Sequence, residues 1–170
     1  PIDIAAITPK LTGAEGRLEK VDLGQSFSAL VDYAHSPDSV MRVLAALRES
    51  TAGKIIAVLG CGGDRDKSKR PLMGAALIAG SDVAIFTSDN PRSEDPAQIV
   101  KEMVSGLTLP ATTSIELDRK RAIEIAVAAA ESGDVVVLLG KGHEQGQEIA
   151  GVKHNFDDRL VLAAAIEATS

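Results

Sequence analysis

Three uninterrupted apolar runs constrain this chain more than any other feature: residues 54–59 (KIIAVL), 82–87 (DVAIFT) and 134–139 (DVVVLL). A strand with one face in water alternates polar and apolar residues. These runs are rich in Val and Ile and do not alternate, so both of their faces are expected to be buried, as in a parallel sheet covered by helices. Helical spacing fills the gaps at 39–49, 71–79, 97–107 and 119–131, and a last helical pattern follows at 158–168. The alternation predicts an α/β fold: a Rossmann-like, open, mostly parallel sheet with helices on both faces. Two more extended stretches, 18–23 and 27–32, come before the first helix. Their short Gly24-Gln25 connection predicts a β-hairpin ahead of the sheet.

Local signals mark the helix ends. Ser36-Pro37 and Asp95-Pro96 each put a capping residue before a proline that the first helical position tolerates. Gln98 stands three residues after Asp95, where a capping box needs it. Gly53 and Gly133 are placed as helix C-terminal caps. The length of 170 residues suits about one domain, and 45% hydrophobic residues supply its core. There is no internal repeat and no low-complexity segment. Residues 1–14, with Pro9 and Gly13, read as a linker from something upstream, and the missing initiator Met suggests a fragment or processed chain.

Composition excludes several classes. The net charge is −6 and aromatics make up 2% with no Trp, so neither a basic stripe nor a stacking platform for nucleic acid is present. A local cluster of Arg and Lys can still bind a small anion. A single cysteine, Cys61, allows no intrachain disulfide and no zinc site built on paired cysteines, which suits a reducing cytosol. No apolar run approaches the roughly 18 residues of a membrane span, and the start has no signal-peptide pattern.

Open sheets of this kind bind ligands beyond the carboxyl ends of their strands. Four polar or glycine-rich stretches fall at those exits: 32–35 (DYAH), 60–66 (GCGGDRD), 89–92 (DNPR) and 140–144 (GKGHE). They are expected to converge on one edge. Common motifs fail on inspection. A Walker A loop aligned on Lys67-Ser68 meets Cys61 and Asp66 where glycines belong, and a dinucleotide fingerprint from Gly60 meets Arg65. A calcium loop from Asp64 meets Lys69 in place of glycine, and a zincin motif from His143 meets Gln147.

The loops nonetheless carry anion and ammonium chemistry. Glycines at 60, 62 and 63 admit close backbone approach, and Arg65 offers a planar fork for a carboxylate or phosphate. A flexible turn whose charges pair with each other is the alternative. In DNPR, Pro91 biases Asn90 toward extended backbone and holds Asp89, Asn90 and Arg92 in fixed relation, a trio able to read a zwitterion. An Asx-type turn is the alternative. Gly140 permits close approach and Glu144 can accept from an ammonium, whereas His143 reads more simply as a buried histidine bonded to backbone. His35, in the 32–35 stretch, precedes a helix N-terminus, where an anion is welcome, or it caps and packs. Cys61 lacks a base at useful spacing for a nucleophilic role. Lys67, Lys69 and Arg70 read as solvated, the 119–121 cluster as a solvated face, and His154, Asp157 and Asp158 as a loop and a helix cap.

Taken in order, DYAHSPDS (32–39), GCGGDRDKSKRPLMG (60–74), DNPRSEDP (89–96), GKGHE (140–144) and FDDR (156–159) resemble the C-terminal domain of the Mur ligases of peptidoglycan synthesis. The likeness runs from Gly16-Arg17-Leu18-Glu19 to the last helix, and DNPR resembles the signature of members that select meso-diaminopimelate. It implies an ATP- and Mg2+-dependent ligase that activates UDP-MurNAc-L-Ala-D-Glu as an acyl phosphate, which the amine of meso-diaminopimelate attacks. It also implies that Arg65, Asp89, Asn90, Pro91, Arg92, Gly140 and Glu144 bind meso-diaminopimelate, and that Arg17, Asp32 and His35 lie on the ATP side. Residues 15–170 would form the amino-acid-binding domain, and 1–14 would lead from a central domain that supplies the phosphate loop and metal site. The enzyme would be cytoplasmic, and this chain alone would be inactive. The alternative is a non-catalytic Rossmann-like amino-acid-binding or docking module.

Overall fold

The computed structural model describes residues 16–169; the expected linker at 1–14 lies outside the described residues. Glu19–Lys20 (β1) pairs antiparallel with Ser28–Asp32 (β2), and Pro37–Ser50 (α1) follows. Ile55–Leu59 (β3), Arg70–Gly80 (α2), Val83–Phe86 (β4), Pro96–Met103 (α3), Thr113–Ile115 (β5), Arg119–Ala128 (α4) and Val135–Leu139 (β6) then alternate. Gly146–Ile149 (β7), Val152–Asn155 (β8) and Asp158–Glu167 (α5) complete the described part. The main sheet has the order β1-β2-β6-β3-β4-β5 and is parallel except for β1. The expected Rossmann-like sheet and its antiparallel start are both present.

Every residue of β3 and β6 is buried, as their unbroken apolar sequence requires. Successive side chains serve opposite faces. Ile55, Ala57, Leu59, Phe86, Val135 and Val137 pack with α1, α2 and α3 through Leu44, Leu77 and Met103. Ile56, Val58, Ile85, Val136 and Leu138 pack on the other face with α4 and α5 through Ile123 and Leu162. Each such Val, Leu or Ile contributes about 1.5–3 kcal/mol by leaving water. The β2–α1–β3 connection therefore crosses one face and β5–α4–β6 the other. That arrangement inserts β6 between β2 and β3 and brings the exits of β2, β3, β4 and β6 side by side.

The helix starts follow their signals with one change. Ser36 caps α1 in a reciprocal box with Ser39, and Asp95 caps α3 by accepting from the Ala97 N–H. The capping box expected from Gln98 does not form, because its side chain donates to Glu102 one turn on, at 3.0 Å. The glycine caps also need correction. Helix α1 ends in extended backbone at Thr51, and Gly53 instead packs against the Gly133 carbonyl. Gly133, at φ +86°, turns the chain into β6 several residues after the α4 cap at Ala129. Two elements carry no clear signal in the sequence. Strand β5 is a half-buried edge of three residues. The β7–β8 hairpin turns through Ala150 and Gly151, both at positive φ, in place of the Asn-Gly that usually advertises such a turn. No helix among the described residues is long and apolar enough to cross a membrane.

Candidate functional site

The four strand exits meet at one edge. A cavity of about 320 Å³ there is lined from all four loops, including His35, Arg65, Asp89, Asn90, Arg92 and Glu144. A neighbouring cavity of about 530 Å³ shares Asn90, Arg92 and Glu144 and adds Glu148, Lys153 and Arg159. Arg65 is exposed, and no ion pair within the described residues holds it. The guanidinium of Arg92 donates from Nη1 to the Gly63 carbonyl at 2.7 Å, and its Nε lies 3.7 Å from Glu148.

Close backbone approach builds this edge. A Cβ at Gly63 would overlap the Pro91 carbonyl, so only glycine lets the β3 loop lie on the β4 loop. The Gly63 N–H donates to the Asn90 carbonyl at 2.8 Å in the same contact. Gly140 has φ +107°, and a Cβ there would stand 2.7 Å from Oδ2 of Asp89. The β7 strand then straps the DNPR segment from outside. Arg92 N–H donates to the Glu148 carbonyl at 2.9 Å, and Ala150 N–H donates to the Arg92 carbonyl at 2.7 Å.

Asp89 is buried, and burial pushes its carboxyl up while the charges of Arg119 and Lys141 pull it back. The Asn90 amide donates to Asp89 Oδ1 at 3.0 Å and to Glu144 Oε2 at 2.8 Å. The other side of that amide accepts from Glu148 N–H at 2.9 Å. Gln147 spans beneath, donating to the Asp89 carbonyl and to the Ser88 hydroxyl. Cys61 is buried and its thiol is pushed up to about 12, first by burial and then by Asp89, so it stays protonated at neutral pH.

On the opposite side of the site, Asp32 has both oxygens engaged by backbone: Oδ2 accepts from Leu18 N–H and Oδ1 from Ala34 N–H, each at 2.8 Å. It ties the entry of β1 to the exit of β2. His35 is exposed just before the α1 cap, and its Nδ1 bonds the Tyr33 carbonyl at 2.8 Å. Arg17 is exposed at the head of β1. Lys69 lines the cavity and donates to the His35 carbonyl at 3.2 Å, so cationic groups gather on this side.

Four expectations from the sequence are corrected here. Arg119 is not on a solvated face: it is buried and forks onto Asp158 at 2.8 and 2.6 Å, with further bonds to the Ser88 and Leu139 carbonyls. It therefore joins the β4 and β6 exits from below. Asp158 is its buried partner, and Asp157 alone caps α5. Arg70 is likewise buried, bonded to Glu94, Glu102 and the Gly62 carbonyl. His143 is exposed and sits against the Tyr33 ring at a centroid distance of 5.9 Å, not buried on backbone. Sequence reading also passed over Lys141, although it stands inside GKGHE between two glycines. Its side chain is fully buried, with Nζ 2.6 Å from the Gly146 carbonyl.

The result is a pocket with guanidinium and ammonium groups beside two carboxylates, a donor and acceptor set for a zwitterion. Residues 16–142 match the family described as "Mur ligase, glutamate ligase domain". The chain is 57% identical over 162 residues to UDP-N-acetylmuramoyl-L-alanyl-D-glutamate--2,6-diaminopimelate ligase of Streptomyces coelicolor, covering 92% of this chain and 32% of that protein. It is 47% identical over 165 residues to the protein of the same name from Geobacillus thermodenitrificans, covering 96% and 34%. A solved structure of a 2,6-diaminopimelate ligase with that full name superposes with a TM-score of 0.87 at 44% identity, over 96% of this chain and 34% of that one. The chain thus spans about a third of the length of the relatives it matches.

Proposed function

The chain belongs to the Mur ligase family, as its glutamate ligase domain, and from that premise we propose that it is the amino-acid-binding domain of a cytoplasmic ligase of peptidoglycan precursor synthesis. That ligase joins meso-diaminopimelate to UDP-MurNAc-L-Ala-D-Glu, the reaction in the names of the relatives. Residues 15–170 form the domain, and 1–14 link it to the domains that complete the enzyme. The observation that carries this reading is the meeting of Arg65, Arg92, Asp89 and Glu144 around one cavity.

A diamino dicarboxylic acid has a zwitterion at each end. One amine attacks, so the far end is the handle by which the acid is held. Arg65 and Arg92 suit its carboxylate, and Glu144 and Asp89 suit its ammonium. Lysine lacks the far carboxylate and would leave a guanidinium unmatched, which is how a polar site rejects an analogue lacking one group. Asn90 and Pro91 hold the set in place, and Gly140 gives the ligand room. The family's ligases use ATP and Mg2+: the substrate carboxylate takes the γ-phosphoryl group with release of ADP, and the amine then displaces phosphate from the acyl phosphate. On the nucleotide side, Arg17 and Lys69 fit a phosphate by charge, the exposed His35 stands beside Lys69 with its Nδ1 on the Tyr33 carbonyl, and Asp32 fixes the backbone that carries His35. Among the described residues no group of three or more His, Cys, Asp or Glu could hold a metal ion. The contribution of this chain is proximity and orientation of the amine rather than acid–base chemistry.

Amide NMR titration of the chain with meso-diaminopimelate, using L-lysine as control, tests the reading. Expected are shifts confined to residues 60–66, 89–92 and 140–144 with diaminopimelate and none with lysine. Equal shifts with lysine would remove the selectivity, and shifts elsewhere would move the site.

A further inference from the structure

Lys141 sits at the bottom of the site, and neither the sequence reading nor the proposed function assigns it a role. Its side chain is fully buried, a rare placement for an ammonium and a costly one unless every donor is matched. Its Nζ meets three acceptors: the Gly146 carbonyl at 2.6 Å, Asn90 Oδ1 at 3.4 Å and Glu144 Oε2 at 3.4 Å. Three protons thus face three oxygens, and the third belongs to a carboxylate that lines the cavity.

The amide of Asn90 closes the arrangement. Glu148 N–H can donate only to the amide oxygen, so Nδ2 must turn toward the carboxylates, where it meets Asp89 Oδ1 and Glu144 Oε2. Both amide protons and both lone pairs are then used within the protein. A ligand contact by this amide would require one of those bonds to break. Asn90 and Lys141 instead converge on the same oxygen of Glu144, Oε2, which leaves Oε1 as the oxygen of Glu144 with capacity to spare. Two buried donors on one side of a carboxylate fix its rotation as well as its position.

We propose that Lys141 is a positioning residue that, through Asn90 and Glu144, presets the carboxylate edge of the pocket so that Glu144 Oε1 and Asp89 face an incoming ammonium. The ligand half of this proposal rests on the amino-acid-binding reading above; the preset geometry does not. A buried, fully bonded ammonium placed behind the site holds Glu144 from the side away from the cavity and does not compete for the ligand. The preset geometry also removes the ordering cost of two side chains from binding, the usual gain from preorganisation.

The test is NMR on the ligand-free chain and then on titration. In the wild type, the Lys141 ammonium is expected to give a 15N signal protected from solvent exchange at neutral pH, and the Asn90 side-chain amide to be similarly protected. A Lys141 signal lost to fast exchange would overturn the proposal without any variant being made. In Lys141→Met, whose neutral side chain keeps much of the volume, protection of the Asn90 amide is expected to fall at least tenfold while strand amides keep their shifts. Unchanged Asn90 protection would overturn it too. In titrations with meso-diaminopimelate, Lys141→Met and Glu144→Gln are each expected to lose tenfold or more in affinity, and the double variant to stay within about twofold of Glu144→Gln alone. That non-additivity marks action through Glu144, since a general loss of structure would add to the second change. Additive losses would overturn the proposal. No response of the wild type to diaminopimelate, with the two protection results intact, would overturn the amino-acid-binding reading and leave the preset geometry standing.

Discussion

At the scale of single residues, the site depends on positions whose type is set by space rather than by charge. Gly140 combines φ +107° with the Asp89 carboxylate where its Cβ would stand. Gly24, at φ +86°, has nothing within 4 Å of such a Cβ. Gly24→Ala therefore reports backbone strain alone, roughly 1 kcal/mol, whereas Gly140→Ala adds displacement of Asp89 and is expected to cost about 2–3 kcal/mol in total. Urea unfolding of the two variants checks this, and equal losses would show that the close approach to Asp89 carries no weight. Arg92 is a second such position. Its fork reaches the Gly63 carbonyl from Nη1 while Nε lies toward Glu148. Lysine offers one point charge and cannot keep both directions. Arg92→Lys is expected to narrow the preference for meso-diaminopimelate over L-lysine by about tenfold or more, the scale of one charged hydrogen bond. Competition titrations would read it, and an unchanged preference would take Arg92 out of the selectivity. The glycines, the proline and the arginines of these loops were legible in sequence because each residue type restricts or frees the backbone locally. Lys141 was not, since nothing in GKGHE tells a buried lysine from a solvated one.

At the scale of elements, what the sequence shows depends on whether burial is two-sided. Strands β3 and β6 lie inside the sheet and carry unbroken apolar runs, so they were legible; β5 is a half-buried edge and the β8 residues are exposed, so neither stood out. The struts between elements were hidden for another reason. Arg119 opens α4 and Asp158 opens α5, 39 residues apart, and only the sheet brings them together. Removing one partner of so buried a pair strands the other charge, so Arg119→Met is expected to cost about 3–5 kcal/mol. Replacing Asp158 with Leu in the same chain should return part of that loss. Denaturant midpoints decide it, and a single-variant loss under 1 kcal/mol would contradict the role. Glu94 is the matching strut on the other face. Bonds from Arg70 and Lys67 and from the Asp64 N–H hold its carboxyl well below the ordinary glutamate value. The unfolded chain then takes up this proton first, so the stabilisation is complete above about pH 4.5 and drains away as pH falls toward the folded value. The stability gap between wild type and Glu94→Gln should accordingly shrink below that pH, as urea midpoints from pH 7 down to 3 would show. A gap that stays constant would mean the ionised form of Glu94 is not what ties α2 and α3 to the β3 loop.

At the scale of the whole molecule, the described fold gathers at one edge the groups that the proposed amino-acid-binding role needs. Guanidinium and carboxylate groups stand at the exits of β3, β4 and β6, and the Lys69 ammonium stands beside them, bonded to the His35 carbonyl at the β2 exit. The sequence holds no Walker A loop: aligned on Lys67-Ser68, the required glycines are Cys61 and Asp66. Forming an acyl phosphate needs the γ-phosphoryl group of ATP cradled in line with the attacking carboxylate, with ADP as the leaving group, and positioning makes up most of that catalysis. The exposed Arg17 and the cavity-lining Lys69 supply charge without such a cradle. The 170-residue chain, which spans about a third of its relatives, is therefore expected to bind meso-diaminopimelate and to form no product by itself. Incubation with ATP, Mg2+, UDP-MurNAc-L-Ala-D-Glu and meso-diaminopimelate, followed by release of ADP and by mass of the product, measures this directly. Adding the remaining segments of a relative in trans should restore turnover if closure of this domain delivers the amine. Restored turnover should then be lost in Glu144→Gln, because the amine would no longer be held toward the acyl phosphate. Turnover by the chain alone would mean that the β2 exit and the glycine loop at 60–63 cradle the nucleotide without a phosphate loop, and would overturn the division of labour argued here.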